Sequence, residues 1–400
     1  MPSASFDRFR ALVVGDESLQ GRLRGGQDWD CFSALCTSLA ADLGCALAPG
    51  DLDAARAAAH RSRLEPRPPD DTRSEALEAA APSGWTPVDF NSADRNVQWC
   101  DLRGVAFEDP SFQGTVRRAS RDHYRLLFRA RTGLPAVADA AARDRPLEPA
   151  GFIFHASRCG STLVCRMLVE LADTVVLSEP GVVDQVLRAT GVDDATRQHW
   201  LASMIGALTQ GRAPGERRAV IKFDAWSVRD LPLIRRAFPD TPWVFLYRDP
   251  ASVVASQCHL PGMPGAPGLL PPELFGLDLA GALALAREEY CAKVIGTVCE
   301  DALAELDNGG RVIAYDELPE AVWRQIMPHF GIAAQREDRA RMRVAAELDS
   351  KRPYQRFDAA APTHEVTPAM RAASDRFAGA AYARLETHRA SQGDLRSVPC

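Results

Sequence analysis

"FIFHASRCGSTLVCRMLVEL", residues 152–171, runs from an apolar stretch into a turn of small residues and on into an amphipathic helix. A strand ending in such a turn leaves several N–H groups of the next helix unpaired and pointing the same way, and the helix dipole adds partial positive charge there. Anions bind at such places. In this turn Gly160 lets a ligand approach the backbone, Ser161 and Thr162 offer hydroxyls, and Arg158 supplies a charged fork suited to phosphate or sulfate oxygens. Taken alone, the turn also fits a segment that merely starts a helix. The nucleotide-kinase pattern GxxxxGK[ST] is not met because its lysine is missing, which weakens the case for ATP-driven phosphoryl transfer.

A second segment narrows the reading. "WVFLYRDPASVVAS" (243–256) is an apolar strand ending in Arg248-Asp249-Pro250, followed by a helix that carries Ser252 and Ser256. Arg248 and Ser256 are placed to reach one further phosphate at the C-terminal edge of a sheet, where open α/β sheets bind ligands. Around these segments, "GFIF", "TVVLSE", "RAVIKF", "PWVFLY" and "RVIAYD" alternate with amphipathic helical stretches. That alternation predicts an α/β fold with a mostly parallel sheet in a three-layer sandwich.

Both motifs, in this order and context, resemble the PAPS-dependent sulfotransferases, in particular the bacterial "SRCGST" type and more distantly the tyrosylprotein sulfotransferases. The resemblance spans about residues 150–357. It implies the P-loop-type sulfotransferase fold, PAPS as donor, no required metal and a hydroxyl acceptor. Arg158, Cys159, Gly160, Ser161 and Thr162 would form the 5′-phosphosulfate loop, and Arg248 with Ser256 the 3′-phosphate site. Glu179 in "LSEPG" stands where the tyrosylprotein enzymes keep a catalytic carboxylate, and Lys222 in "IKFDAW" matches their catalytic lysine. Tyr315 in "VIAYDEL" resembles a family tyrosine that helps hold the nucleotide. Lys351 and Arg352 in "DSKRPYQRF" loosely resemble a basic loop that closes over it.

Several of these residues also have plainer readings. Glu179 can cap the following helix, and Lys222 can be a solvated strand-end charge, although its apolar neighbours Ile221 and Phe223 argue for burial. His155 reads as a second base or as a satisfied structural histidine. Cys159 beside Arg158 is expected to be acidified by the helix N-terminus, yet it has no histidine partner for covalent chemistry. The Pro/Gly-rich stretch 258–276 is expected to form a lid or a substrate wall, with His259 near the acceptor.

Upstream, residues 1–62 read as a small all-helical domain. Phe6, Phe9, Leu12 and Val13 recur at helical spacing, and "DWDCFSALCTSLAADLG" runs between an Asp start and a Gly stop. This segment resembles the small helical family named after a nitrogen-fixation protein, whose members also serve as leader segments of ribosomally made peptides. The resemblance implies a docking module for a peptide partner and a link to secondary metabolism; the plainer alternative is a stabilising appendage. Residues 63–84, rich in Pro, charge and Ala, read as a linker, 85–150 as a strand and helix flank, and 151–400 as the catalytic domain.

Composition bounds the rest. The 400 residues are 46% hydrophobic and 25% charged with a formal charge of -6, which fits a folded globular chain and argues against a protein devoted to nucleic acid or anionic membranes. No stretch reaches the length of a membrane span and the N-terminus lacks a signal-peptide layout, so a cytoplasmic location is expected. Ten cysteines without a CxxC pair suggest buried thiols rather than a metal or disulfide framework. The expected activity is sulfuryl transfer to a peptide side chain or a small alcohol or phenol, with Glu179 as general base. Its rivals are a kinase-like phosphotransferase and a non-catalytic nucleotide-binding scaffold. Oligomeric state is not legible.

Overall fold

The computed structural model describes residues 3–25, 28–64, 78–306, 309–348 and 364–393. The expected basic loop with Lys351 and Arg352, and most of the expected linker 63–84, lie outside the described residues. The chain divides into two compact units, residues 1–147 with 181–214, and residues 148–180 with 215–400.

The first unit begins with four helices, Ala4–Gly15, Glu17–Leu23, Trp29–Asp42 and Asp51–Leu64. The first helical stretch is broken at Asp16, whose carboxylate accepts from the N–H groups of Ser18 and Leu19 and so caps a new helix. Phe6, Phe9 and Phe32 bury their rings 6.0, 5.6 and 6.5 Å from that of Phe128. Three antiparallel strands follow, β1 (Thr86–Asn91), β2 (Asn96–Cys100) and β3 (Ala130–Gly133), in the order β1-β2-β3. The fully buried Asp101 accepts from Arg24 at 2.6 Å, from Arg103 at 2.9 Å and from the Tyr124 hydroxyl at 3.1 Å. A buried carboxylate survives only with such partners. Helices Gly181–Leu187 and Asp194–Leu208 belong to this unit. Gln185 of the first accepts from the Phe90 N–H at 2.8 Å and donates to Asp89 at 2.7 Å.

The second unit holds the five strands expected from the sequence: β4 (Pro149–His155), β5 (Thr174–Ser178), β6 (Arg218–Lys222), β7 (Trp243–Tyr247) and β8 (Gly310–Ala314). They form one parallel sheet in the order β5-β6-β4-β7-β8. Alternation along the strands separates two cores. Ile153, Val220, Val244 and Leu246 join Val164, Met167 and Leu168 of the helix Ser161–Val169 and Met342 of the helix Arg336–Ala346 on one face. On the other face Phe152 and Phe154 pack against Phe223, with Trp243 beside Phe154. The fold is thus the mixed α/β class expected, a parallel sheet preceded by a helical region.

The strand order reverses about β4, whose successor β5 lies at one edge while β7 and β8 extend the other. The crevice at the C-terminal ends of β4, β6 and β7 is therefore a topological switch point, the usual ligand position in such sheets. Among the described residues no helix is long and apolar enough to cross a membrane.

Candidate functional site

The turn after β4 has an unusual backbone. Ser157, Arg158 and Gly160 have φ of 63°, 51° and 83°, three left-handed residues within four positions. Such conformations are costly for non-glycine residues and persist where surrounding contacts fix them. Those contacts are visible. The N–H of Ala156 and the thiol of Cys159 both donate to the carbonyl of Leu246 in β7, at 2.9 and 3.2 Å. The Ser157 N–H donates to Nδ1 of His155 at 3.1 Å, and Gln257 Nε2 donates to the Ser157 hydroxyl at 3.0 Å.

Gly160 precedes the helix Ser161–Val169, and among the described residues no side chain caps that helix. Its first N–H groups therefore have no capping side-chain acceptor among the described residues. A Cβ at Gly160 would stand 2.5 Å from Cδ1 of Leu318 and 3.2 Å from the ring of Tyr315, so the absence of a side chain lets Tyr315 close on the loop. The Arg248 guanidinium lies 4.2 Å above the centre of the Tyr315 ring, and its Nη1 is 3.5 Å from the carbonyl of Arg158. The two segments singled out in the sequence therefore meet at one locus. Ser256 is half-buried on the helix Pro250–His259, and its hydroxyl has no partner among the described residues. Ser252 instead shares the capping Asp249 carboxylate, with its hydroxyl at 2.7 Å.

On the other side of β4, Glu179 and Lys222 meet at the ends of the paired strands β5 and β6. The Glu179 N–H donates to the Lys222 carbonyl at 2.7 Å, Glu179 adopts a φ of 53°, and its Oε1 lies 3.0 Å from Lys222 Nζ and 3.2 Å from His155 Nε2. The Lys222 side chain is 1% exposed and that of Glu179 29%. Burial alone would raise the Glu179 pKa, but the charge of Lys222 and the His155 contact outweigh it and hold the carboxyl at about 2. Burial pulls Lys222 down and the carboxylate opposite more than offsets this, leaving the ammonium raised from its ordinary value. His155 is lowered, chiefly by burial. The pair is charged, and the histidine beside it is neutral.

Cys159 departs from expectation. Its side chain is fully buried under the loop, and desolvation pushes the thiol up to about 12 rather than acidifying it. It anchors the turn to β7 and is no nucleophile. His259 is exposed at the end of its helix, where it stacks on His364 at 4.2 Å. Arg158 donates to the carbonyl of Leu260, and Pro264 and Gly265 border a small cleft beside Ser157 with Ala225, Val294 and Val298, so the stretch 258–276 adjoins the loop.

Sequence reasoning passed over Gln257. This residue is 3% exposed and ties Ser157 to the Gly262 N–H, which donates to its Oε1 at 2.8 Å. The only sequence signal was a polar residue adjoining Ser256 in a helix whose other residues are mostly small or apolar. Among the described residues, no group of three His, Cys, Asp or Glu side chains is placed to hold a metal ion.

Fold and site together define a parallel α/β protein with a left-handed turn at an uncapped helix start and a carboxylate–lysine pair at its switch point. Solved structures similar to the chain include a sulfotransferase from Mycobacterium avium, at 16% identity over 71% of this chain and 82% of that one, with a TM-score of 0.38. Another is a sulfotransferase from Mycobacterium tuberculosis H37Rv, at 15% identity over 70% and 89%, with a TM-score of 0.39. A third is the sulfotransferase domain of the Synechococcus PCC 7002 olefin synthase, at 16% identity over 64% and 97%, with a TM-score of 0.36. No protein-family model and no curated protein matches the chain.

Proposed function

We propose that the chain transfers the sulfuryl group of PAPS to a hydroxyl acceptor by in-line displacement, with Glu179 as general base. The observation that carries this reading is the convergence of the loop Ser157–Thr162, the Arg248–Tyr315 stack and the Glu179–Lys222 pair around the C-terminal end of β4. These residues fit the donor. The helix start and Arg158 suit one anionic end, and Arg248 with the Ser256 hydroxyl suits the other. Tyr315 offers a ring beside both.

When bound, PAPS supplies a sulfuryl group on a phosphate leaving group, chemistry that needs no redox partner and no obligatory metal. The chain's own task is to orient, to neutralise charge and to move one proton. Arg158 on the loop and Lys222 at the end of β6 are the cations for neutralising charge. Glu179 stays ionised at any physiological pH, and its low proton affinity means that it takes the acceptor proton late, once bond formation has acidified the hydroxyl. The expected acceptors are a peptide side chain or a small alcohol or phenol. A docking role for residues 1–62 rests on the leader-like resemblance alone, and the burial of Phe6, Phe9 and Phe32 within their own unit supports a stabilising role instead.

The first test is thermal stabilisation by adenosine 3′,5′-bisphosphate against ATP with Mg²⁺. A ligand of the native state at 100 times its Kd adds about 2.7 kcal/mol. The bisphosphate is expected to stabilise the protein and ATP to do so less, with Arg248→Ala weakening the bisphosphate by roughly 10- to 100-fold through lost charged hydrogen bonds. An equal or larger response to ATP overturns the proposal in favour of kinase chemistry. Bisphosphate binding without transfer in a labelled-donor screen of phenols, alcohols and tyrosine peptides leaves the scaffold reading.

A further inference from the structure

We propose that His155 is a positioning residue: as a neutral ring protonated on Nε2, it ties the backbone of the anion loop to Oε1 of Glu179 and leaves Oε2 as the oxygen that takes the acceptor proton. The inference rests on the reading of Glu179 as the base and deepens it.

The argument starts from lone pairs. Nδ1 of His155 accepts the Ser157 N–H at 3.1 Å, so that nitrogen carries no proton. The ring proton of a neutral imidazole then sits on Nε2. This nitrogen is buried, has no well-aligned hydrogen bond, and faces Glu179 Oε1 at 3.2 Å as its one acidic neighbour. With one nitrogen occupied by the backbone and the other protonated, the ring has no lone pair to offer an acceptor hydroxyl. His155 therefore does not act as a second base.

On the Glu179 side the accounting is equally specific. Oε1 has Lys222 Nζ at 3.0 Å and His155 Nε2 at 3.2 Å, while Oε2 has no partner among the described residues. The side chain is 29% exposed, so an outside hydroxyl can reach the carboxylate, and Oε2 is the oxygen that neither Lys222 nor His155 approaches. Its backbone N–H is fixed to Lys222, which limits rotation of the carboxylate away from this arrangement. His155 thus couples two features, since the same ring that orients Oε1 also holds Ser157 in its left-handed conformation at the mouth of the loop.

Two variants separate the two bonds. In His155→Asn the amide oxygen replaces Nδ1 as acceptor for Ser157 but loses the reach to Glu179. In His155→Gln the amide nitrogen replaces Nε2 as donor to Glu179 but leaves the Ser157 N–H without its acceptor. With the full chain labelled with ¹⁵N-histidine and free of nucleotide, the resonance lost in both variants is expected to be a ring protonated on Nε2 alone from about pH 7 to 8. An Nδ1–H tautomer, or a doubly protonated ring in that range, overturns the proposal.

Adenosine 3′,5′-bisphosphate affinity is expected to stay within about threefold in His155→Asn and to fall about tenfold in His155→Gln, the scale of one hydrogen bond. Equal losses in both variants overturn the coupling. The wild-type spectrum decides the tautomer even if a variant fails to fold. Absence of bisphosphate binding by the wild type counts against the sulfuryl-transfer reading and leaves the spectroscopic test of the ring intact.

Discussion

At the scale of single residues, the proposed chemistry rests on an ion pair with unequal exposure. Lys222 is 1% exposed and Glu179 29%, so removing the carboxylate strands a buried ammonium whereas removing the ammonium leaves a carboxylate that water can reach. Breaking a buried pair on one side costs about 3–5 kcal/mol, while replacing both members by uncharged groups is often neutral. Glu179→Gln is therefore expected to destabilise the protein by several kcal/mol, Lys222→Met by less, and the double variant by less than Glu179→Gln alone. Urea unfolding checks this, and simple additivity would contradict it. The same groups set a pH window. Glu179, lowered from 4.5, contributes stability that is complete above pH 4.5 and fades toward pH 2. Neutral His155, lowered from 6.5, contributes fully above pH 6.5 and less below, whereas Lys222, raised from 10.5, contributes below pH 10.5 and fades above it. The stability difference between wild type and a triple variant lacking these groups should thus be flat between pH 6.5 and 10.5 and shrink on either side. Strand-end position made Glu179 and Lys222 legible in the sequence. Cys159 was misread because its neighbour Arg158 is visible in the chain, while the inward turn of its thiol toward Leu246 is a consequence of the left-handed backbone.

At the scale of elements, the five parallel strands were legible because strands buried on both faces read as unbroken apolar runs bounded by turn residues. The loop between β4 and the helix Ser161–Val169 was legible in composition but not in conformation. Nothing local announces that Ser157 and Arg158 adopt positive φ, because the contacts that enforce it come from β7, from Gln257 and from His155. Gly160 offers the direct test. Alanine there meets a φ of 83°, which costs about 1–2 kcal/mol, and places its Cβ 2.5 Å from Leu318 and 3.2 Å from Tyr315. The end of the Leu318 side chain must then shift and the Tyr315 ring, on which Arg248 stacks, must give by a few tenths of an ångström. Gly160→Ala is expected to lower the melting temperature modestly and to weaken adenosine 3′,5′-bisphosphate at least tenfold, read by calorimetric titration. Unchanged affinity would mean that the Tyr315–Arg248 stack plays no part in the nucleotide site.

At the scale of the whole molecule, the chain leaves the second unit after Pro180 and returns to it at Gly215, an excursion that no local pattern reveals. Helices Gly181–Leu187 and Asp194–Leu208 look in sequence like ordinary crossovers between strands, yet Gln185 bonds to β1 and Trp200 packs on Phe90 at 6.0 Å. The N-terminal helices pose the same problem in reverse. Their Phe spacing suggests a free-standing bundle, but the rings are spent on Phe128, and Arg24 completes the charge balance of the buried Asp101. A segment whose apolar face is a neighbour's core is not expected to fold alone or to be dispensable. Phe128→Ala should cost about 3–5 kcal/mol, the usual range for emptying an aromatic site. Deletion of residues 1–62 should be worse, because it uncovers Phe128 and takes away one of the two guanidinium partners of Asp101 as well. Soluble yield and calorimetric melting of the shortened chain measure this. A deletion that melts like the full chain would show that the helical region is a detachable module, and the leader-like docking role would then become the better account of why it is there.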